Sequence, residues 1–339
     1  MLRYPSTCIL LLLFLLRLSA QVEEEQLPLV VASASIFADM AEVIGGNLIE
    51  VQSVVPIGGD PHIYEPTPAD VRLIARADLV LINGLTFEGW MSELIDNSGT
   101  RAEVVTVTNG LNAIASEEYA NASDPHAWMS AKNGRTYVAN IRDALIRLNP
   151  ENAEAFRFNA NMYLGQIQDL DTYIQAQIAR IPAHQRILIT SHDAFRYYGR
   201  RYGIQVEAAM GTSTDAEVQT SDVARLTHII RETKVPAIFV ESTINPKLIR
   251  QIAADNGAVI GGNLYADSLG EPDGEAGTYL KMLRRNTDII VNGLLGKTSE
   301  VDTQLDTNPI QQASLLGIIL AVMIGAFGYM VWQLDRGVK

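Results

Sequence analysis

Short apolar runs rich in Val and Ile alternate along this chain with amphipathic stretches, which predicts β-α units around largely parallel sheet. Pro28 to Ser33 reads as a strand, followed by a helix from Ser35, taken as its N-cap, to Ile44, where Gly45-Gly46 stops it. Val51 to Val55 reads as the next strand. Thr67 then caps a helix with Pro68 at its first position, where a missing N–H costs nothing. Leu79 to Ile82 and Val104 to Val107 complete about four strands.

Near Asn133 the texture changes. From Gly134 to Leu148, and again from Glu151 to Ile181, apolar residues recur at helical spacing, interrupted only by Asn149-Pro150. The second stretch would run roughly 45 Å at about 1.5 Å per residue, long enough to bridge two lobes. After Pro182 the strand-helix alternation resumes, with strands at Ile187 to Thr190, Gln205 to Ala208, Ala237 to Val240 and Ala258 to Ile260. The expected fold class is therefore α/β: two β-α lobes, each with a mainly parallel four-stranded sheet, joined by a single long helix. Residues 27–149 would form the first lobe, 150–181 the linking helix and 182–296 the second lobe.

The two ends read differently. Arg3, the apolar run Ile9 to Leu16 and the small-residue site Leu18-Ser19-Ala20 read as a secretory signal peptide over residues 1–20. Ala313 to Trp332 contains twenty residues without a charge, and Arg336 and Lys339 follow it. That length suits a C-terminal transmembrane helix over 313–332, with the polar segment 297–312 as a stalk. The expectation is an extracytoplasmic body, periplasmic or at the cell surface, anchored in the cytoplasmic membrane by that helix.

Composition narrows the function classes. The chain has 339 residues, is 47% hydrophobic and 19% charged, and carries a net charge of −13. A folded core is affordable, extended disorder is excluded, and an acidic surface is unsuited to nucleic acid. The single cysteine, Cys8, lies inside the signal, so neither a disulfide framework nor a cysteine metal site is expected.

Three of the five histidines fall just past the carboxyl ends of predicted strands, where open α/β sheets bind ligands. His62 lies in Asp60-Pro61-His62, His126 in a second Asp-Pro-His at 124–126, and His192 in Ser191-His192-Asp193. Asp267, after the strand around Val259, supplies an oxygen ligand from the second lobe. A His3Asp set suits zinc, manganese or iron(II). Ligation needs neutral imidazole, so binding would weaken as pH falls toward about 6. Asp60, Asp124, Asp193 and Glu241 are candidates to hydrogen-bond the ligands, although the three aspartates suit loop capping equally. His184 and His228 read as structural.

The segments Gly59 to Pro66, Asp124 to Ser130, Thr190 to Phe195, Phe239-Val240-Glu241-Ser242 and Tyr265 to Ser268 occur in the order seen in TroA-like metal-binding proteins of ABC importers. The chain resembles that family over about residues 28 to 295. The resemblance implies two lobes joined by one helix with little hinge motion, a metal buried between them, and ligands at His62, His126, His192 and Asp267. It also implies Mn2+ or Zn2+ as transported cargo, with Fe2+ admitted, and an ABC permease with its ATPase as partners. Zinc-specialised members carry a histidine-rich loop before the second ligand, whereas Ala113 to Ser123 contains no histidine. A surface adhesin on the same fold is the alternative. A zinc hydrolase would keep an open coordination position and a general base, and no His-Glu-x-x-His motif is present, so no enzyme is expected.

Overall fold

In a computed structural model of the protein, which describes residues 27–115, 122–216 and 218–297, the first lobe is built on β1 (Leu29–Ala32), β2 (Glu50–Ser53), β3 (Leu79–Ile82) and β4 (Glu103–Thr106). All pairs are parallel and the order is β2-β1-β3-β4. The strands with unbroken apolar sequence, β1 and β3, take the centre, where both faces are covered. β2 and β4, which carry Glu50 and Glu103, take the edges and stay partly exposed. From β1 the chain goes out to β2 and returns past β1 to β3, which opens a crevice at the carboxyl ends of the central strands.

Helices α1 (Ser35–Gly45), α2 (Pro68–Arg76) and α3 (Met91–Ser98) connect these strands. Thr67 caps α2 as expected, its hydroxyl accepting from the Ala69 N–H while Asp70 reaches back to the Thr67 N–H at 2.7 Å. Ser35 does not cap α1. It is the first helical residue, and its hydroxyl accepts the Leu269 N–H at 3.0 Å from the second lobe.

Next come α4 (Ala131–Leu148) and α5 (Ala153–Ala179), separated by a 3₁₀ turn at Pro150–Asn152. The 27 residues of α5 extend roughly 40 Å. Its buried stripe of Phe156, Ala160, Tyr163, Ile167, Leu170, Ile174 and Ile178 recurs every three or four residues, as a helix with one covered face requires. The amino-terminal half holds the first lobe: Asn159 Nδ2 donates to the Ile44 carbonyl at 3.0 Å. The carboxyl-terminal half holds the second, where Asp171 accepts from Arg201 and from the Tyr202 hydroxyl.

The second lobe contains β5 (Ile187–His192), β6 (Gln205–Met210), β7 (Ala237–Glu241) and β8 (Val259–Leu264), with α6 (Arg196–Tyr202), α7 (Thr220–Thr233), α8 (Lys247–Asn256) and α9 (Tyr279–Leu294). The expected four-stranded sheet is instead two parallel pairs, β5-β6 and β7-β8. β5 and β7 are neighbours without a registered ladder. At their carboxyl ends the His192 N–H donates to the Glu241 side chain at 2.9 Å.

The transmembrane helix expected as part of the fold class is also corrected. Among the described residues no helix is long and apolar enough to cross a membrane. Even α5, the longest of them, carries Glu154, Arg157, Asp169 and Asp171. The expected span at 313–332 lies outside the described residues, as do the signal at 1–20 and all of the stalk except Lys297. The described residues form a two-lobed α/β body with no such helix among them.

Candidate metal centre

Each Asp-Pro-His is a device for presenting an imidazole. Proline fixes φ of the middle residue, and the aspartate folds forward onto the amide two residues on. Asp60 Oδ1 accepts the His62 N–H at 2.9 Å, and Asp124 Oδ1 accepts the His126 N–H at 2.9 Å. His192 arrives differently. It is the last residue of β5 and lies within the strand, not beyond it. Asp267 follows the end of β8 by three residues.

These four side chains converge, with one ligand atom from each lying within 4.8 Å of all the others. His126 Nε2 is 3.2 Å from His62 Nε2 and 3.3 Å from His192 Nε2. Asp267 Oδ1 is 3.4 Å from His126 Nε2, and Oδ2 is 3.3 Å from His192 Nε2. A tetrahedral ion with bonds of about 2.0–2.1 Å has ligand-to-ligand edges of about 3.3–3.4 Å. The cage therefore has the dimensions of a coordination shell. His126, His192 and Asp267 are fully buried, whereas His62 is only partly so. Among the described residues neither oxygen of Asp267 has a polar partner other than the His126 and His192 imidazoles. A buried carboxylate in that condition is costly unless a cation compensates it.

Carboxylates behind two of the imidazoles complete the arrangement. Asp124 Oδ1 lies 2.8 Å from His126 Nδ1, and Glu241 Oε2 lies 2.7 Å from His192 Nδ1. Each holds its ring so that Nε2 faces the cage. The electrostatics are correspondingly uneven. Burial drives His62 down to about 3, against the pull of Asp267. Burial also depresses His126, but Asp124 and Asp267 outweigh it and lift that imidazole to about 9. For His192 burial is likewise overridden, by Glu241 and Asp267, and its pKa lies well above the ordinary value. Burial opposes ionisation of Asp267, yet His192 and His126 hold it well below the usual carboxylate range. Without an ion the cage thus pushes its rings in opposite directions, His62 down and His126 and His192 up.

Neither Asp60 nor Asp193 bonds an imidazole ring. Asp60 Oδ2 accepts from the Thr214 hydroxyl at 2.7 Å, and Asp193 faces Arg196 at 3.6 Å. His184 and His228 are exposed and distant from the cage, and His228 faces Glu232 one helical turn on. Residues that the sequence did not mark include Phe87, whose ring meets His62 edge-on at 5.0 Å, and Trp90, which donates to the Pro61 carbonyl at 2.7 Å. Ser268 accepts the Gly58 N–H at 2.8 Å. These contacts cross from 25 to 210 residues of chain, and no local pattern signals them.

The family described as ZnuA, zinc-uptake complex component A, periplasmic, matches residues 30–293, a range that contains all four converging side chains. The chain belongs to this family. The manganese-binding lipoprotein MntA of Halalkalibacterium halodurans is 37% identical over 265 residues, covering 78% of this chain and 88% of that protein. The iron-binding protein YfeA of Yersinia pestis is 36% identical over 266 residues, covering 78% and 85%. Among solved structures, the periplasmic zinc-binding protein TroA from Treponema pallidum superposes with a TM-score of 0.76 at 33% identity. It covers 79% of this chain and 99% of that one. A manganese-bound periplasmic metal-binding protein from Candidatus Liberibacter asiaticus gives 0.73 at 34% identity, covering 79% and 99%. Like other members of the ZnuA family, the chain is a solute-binding protein and not an enzyme.

Proposed function

We propose that this ZnuA-family protein is the extracytoplasmic solute-binding component of a metal ABC importer. It captures a divalent transition metal, Mn2+ or Zn2+ with Fe2+ also accommodated, and hands it to a permease driven by an ATPase subunit. His62, His126 and His192 would ligate through Nε2 and Asp267 through its carboxylate. In this reading residues 27–149 form the first metal-binding lobe, 150–181 the link and 182–296 the second lobe.

The observation that carries the proposal is the buried Asp267 carboxylate, whose polar partners among the described residues are Nε2 of two fully buried imidazoles at 3.3–3.4 Å. A divalent cation compensates that charge and takes the place of protons on His126 and His192, since a ligating nitrogen must be deprotonated. The relatives named above bind manganese, iron and zinc, so the cargo class is common to them while the preferred ion differs. Elemental analysis of the full chain, purified without chelators, tests the proposal. Stoichiometric manganese or zinc is expected in the wild type and its loss in His192→Ala; a wild type without transition metal overturns it. Competition between the two ions on the same sample ranks them.

A further inference from the structure

The four converging side chains are not equally enclosed. His126, His192 and Asp267 are fully buried, and their segments are tied across the lobes by deep hydrogen bonds. Trp128 Nε1 donates to the Ala266 carbonyl at 2.9 Å, and the Tyr197 hydroxyl donates to the Asp124 carbonyl at 2.8 Å. His62 alone retains exposure, on the turn Gly58 to His62 at the mouth of the cleft, with Ile57 and Ile63 exposed on either side of it. Any route for the metal that leaves the deep core intact passes this turn.

Two polar contacts fasten the turn to the second lobe. The Gly58 N–H donates to Ser268 Oγ, next to Asp267, at 2.8 Å. At the other end Asp60 uses one carboxylate for two tasks: Oδ1 accepts the His62 N–H at 2.9 Å, and Oδ2 accepts the Thr214 hydroxyl at 2.7 Å. Thr214 lies on the irregular segment after β6, 154 residues away in sequence, and belongs to the other lobe. The group that shapes the His62 turn is therefore the same group that the second lobe grips.

Building on the proposed function, we infer that Thr214 is a positioning residue that latches the His62 turn across the cleft and sets how long the metal is retained. It touches neither the cage nor the metal. Its hydroxyl holds Asp60, Asp60 holds the His62 amide, and His62 Nε2 is thereby kept 3.2 Å from His126 Nε2. With the hydroxyl removed, Asp60 can still form its turn, but the turn is then bound to the second lobe only at Gly58, and its His62 end can swing outward. A hydrogen bond to a carboxylate is worth enough to change such an opening equilibrium about tenfold or more.

The test is the rate of metal release from the full chain loaded with zinc or manganese, measured by stopped flow at chelator concentrations where the rate no longer depends on chelator. Thr214→Val, which preserves shape and removes the donor, is expected to release metal about tenfold or more faster. Thr214→Ser, which keeps the hydroxyl, is expected to stay close to wild type, and the metal-free melting temperatures of all three should agree. Equal release rates for Thr214→Val and wild type overturn the latch while leaving the proposed function standing. A wild type that binds neither ion overturns that function and the latch with it. Should Thr214→Val not fold, Ser268→Ala cuts the second fastening of the same turn. Faster release is again the expected result, and an unchanged rate again counts against the latch.

Discussion

Nδ1 of His192 lies 2.7 Å from Oε2 of Glu241, and Oε1 of the same carboxylate accepts the His192 N–H at 2.9 Å; both side chains are fully buried. One residue thus fixes both the ring and the backbone of a residue at the cage. Glu241→Gln keeps the shape and removes the charge that directs the imidazole. We expect metal affinity to fall about 10- to 100-fold, the usual cost of losing a carboxylate behind a metal-bound histidine. A chelator-competition titration checks this, and unchanged affinity would show that the carboxylate serves only the strand ends.

Metal should stabilise the fold by mass action, because the cage draws on both lobes and does not exist in the unfolded chain. At free metal about 100 times Kd the gain is about 2.7 kcal/mol, or roughly 4–5 °C in Tm for a protein of this size. Differential scanning calorimetry with and without excess chelator reads it directly. No shift would mean that the ion binds elsewhere or equally to the unfolded chain.

Glu88 gives a pH dependence of stability. Its carboxylate is buried at the carboxyl ends of β1 and β3 and accepts from Ser33 Oγ at 2.8 Å and from the Asn83 and Gly84 amides. Burial outweighs those bonds and pushes the carboxyl up to about 7 from 4.5. The native state therefore holds a proton that the unfolded state has lost. The associated stability is complete below about pH 4.5 and disappears as pH rises through about 7, roughly 3 kcal/mol in all. Glu88→Gln should remove this slope. Urea unfolding of both proteins across pH 4.5–7.5 checks it, and parallel curves would refute it.

Gly134 sits inside α4, where alanine would ordinarily favour the helix by about 1 kcal/mol. Here an added Cβ would lie 2.5 Å from Tyr279 Oη, whose hydroxyl donates to the Trp128 carbonyl at 2.7 Å two residues past His126. Overpacking of that kind costs about 1–3 kcal/mol. Gly134→Ala is accordingly expected to lower stability in urea unfolding, and a gain would mean that Tyr279 yields easily.

Much of this protein could be read locally. The strand at Leu79–Ile82, the Thr67-Pro68 helix start and the long helix after Pro150 all arise from neighbouring residues, whose periodicity and capping chemistry act over three or four positions. The repeated Asp-Pro-His is local in the same sense, since aspartate, proline and the following amide build the turn by themselves. Histidines at strand ends in that setting already pointed to a metal.

Other features depend on residues that meet only when the chain is folded. Periodicity counts apolar positions and is blind to which strand end lies beside which, so it suggested one four-stranded sheet where β5 and β7 lie side by side without a ladder. It marked Ser35 as a cap, although Leu269 claims its hydroxyl from 234 residues away. A run of twenty uncharged residues suggested a membrane helix, and the described fold contains none. Composition and spacing thus named the side chains able to hold an ion. Their convergence to 3.2–3.4 Å, the carboxylates that aim them and the Thr214 grip on Asp60 came from packing two lobes along one helix. Such contacts join residues tens to hundreds of positions apart, and their free energy is realised only in the assembled core.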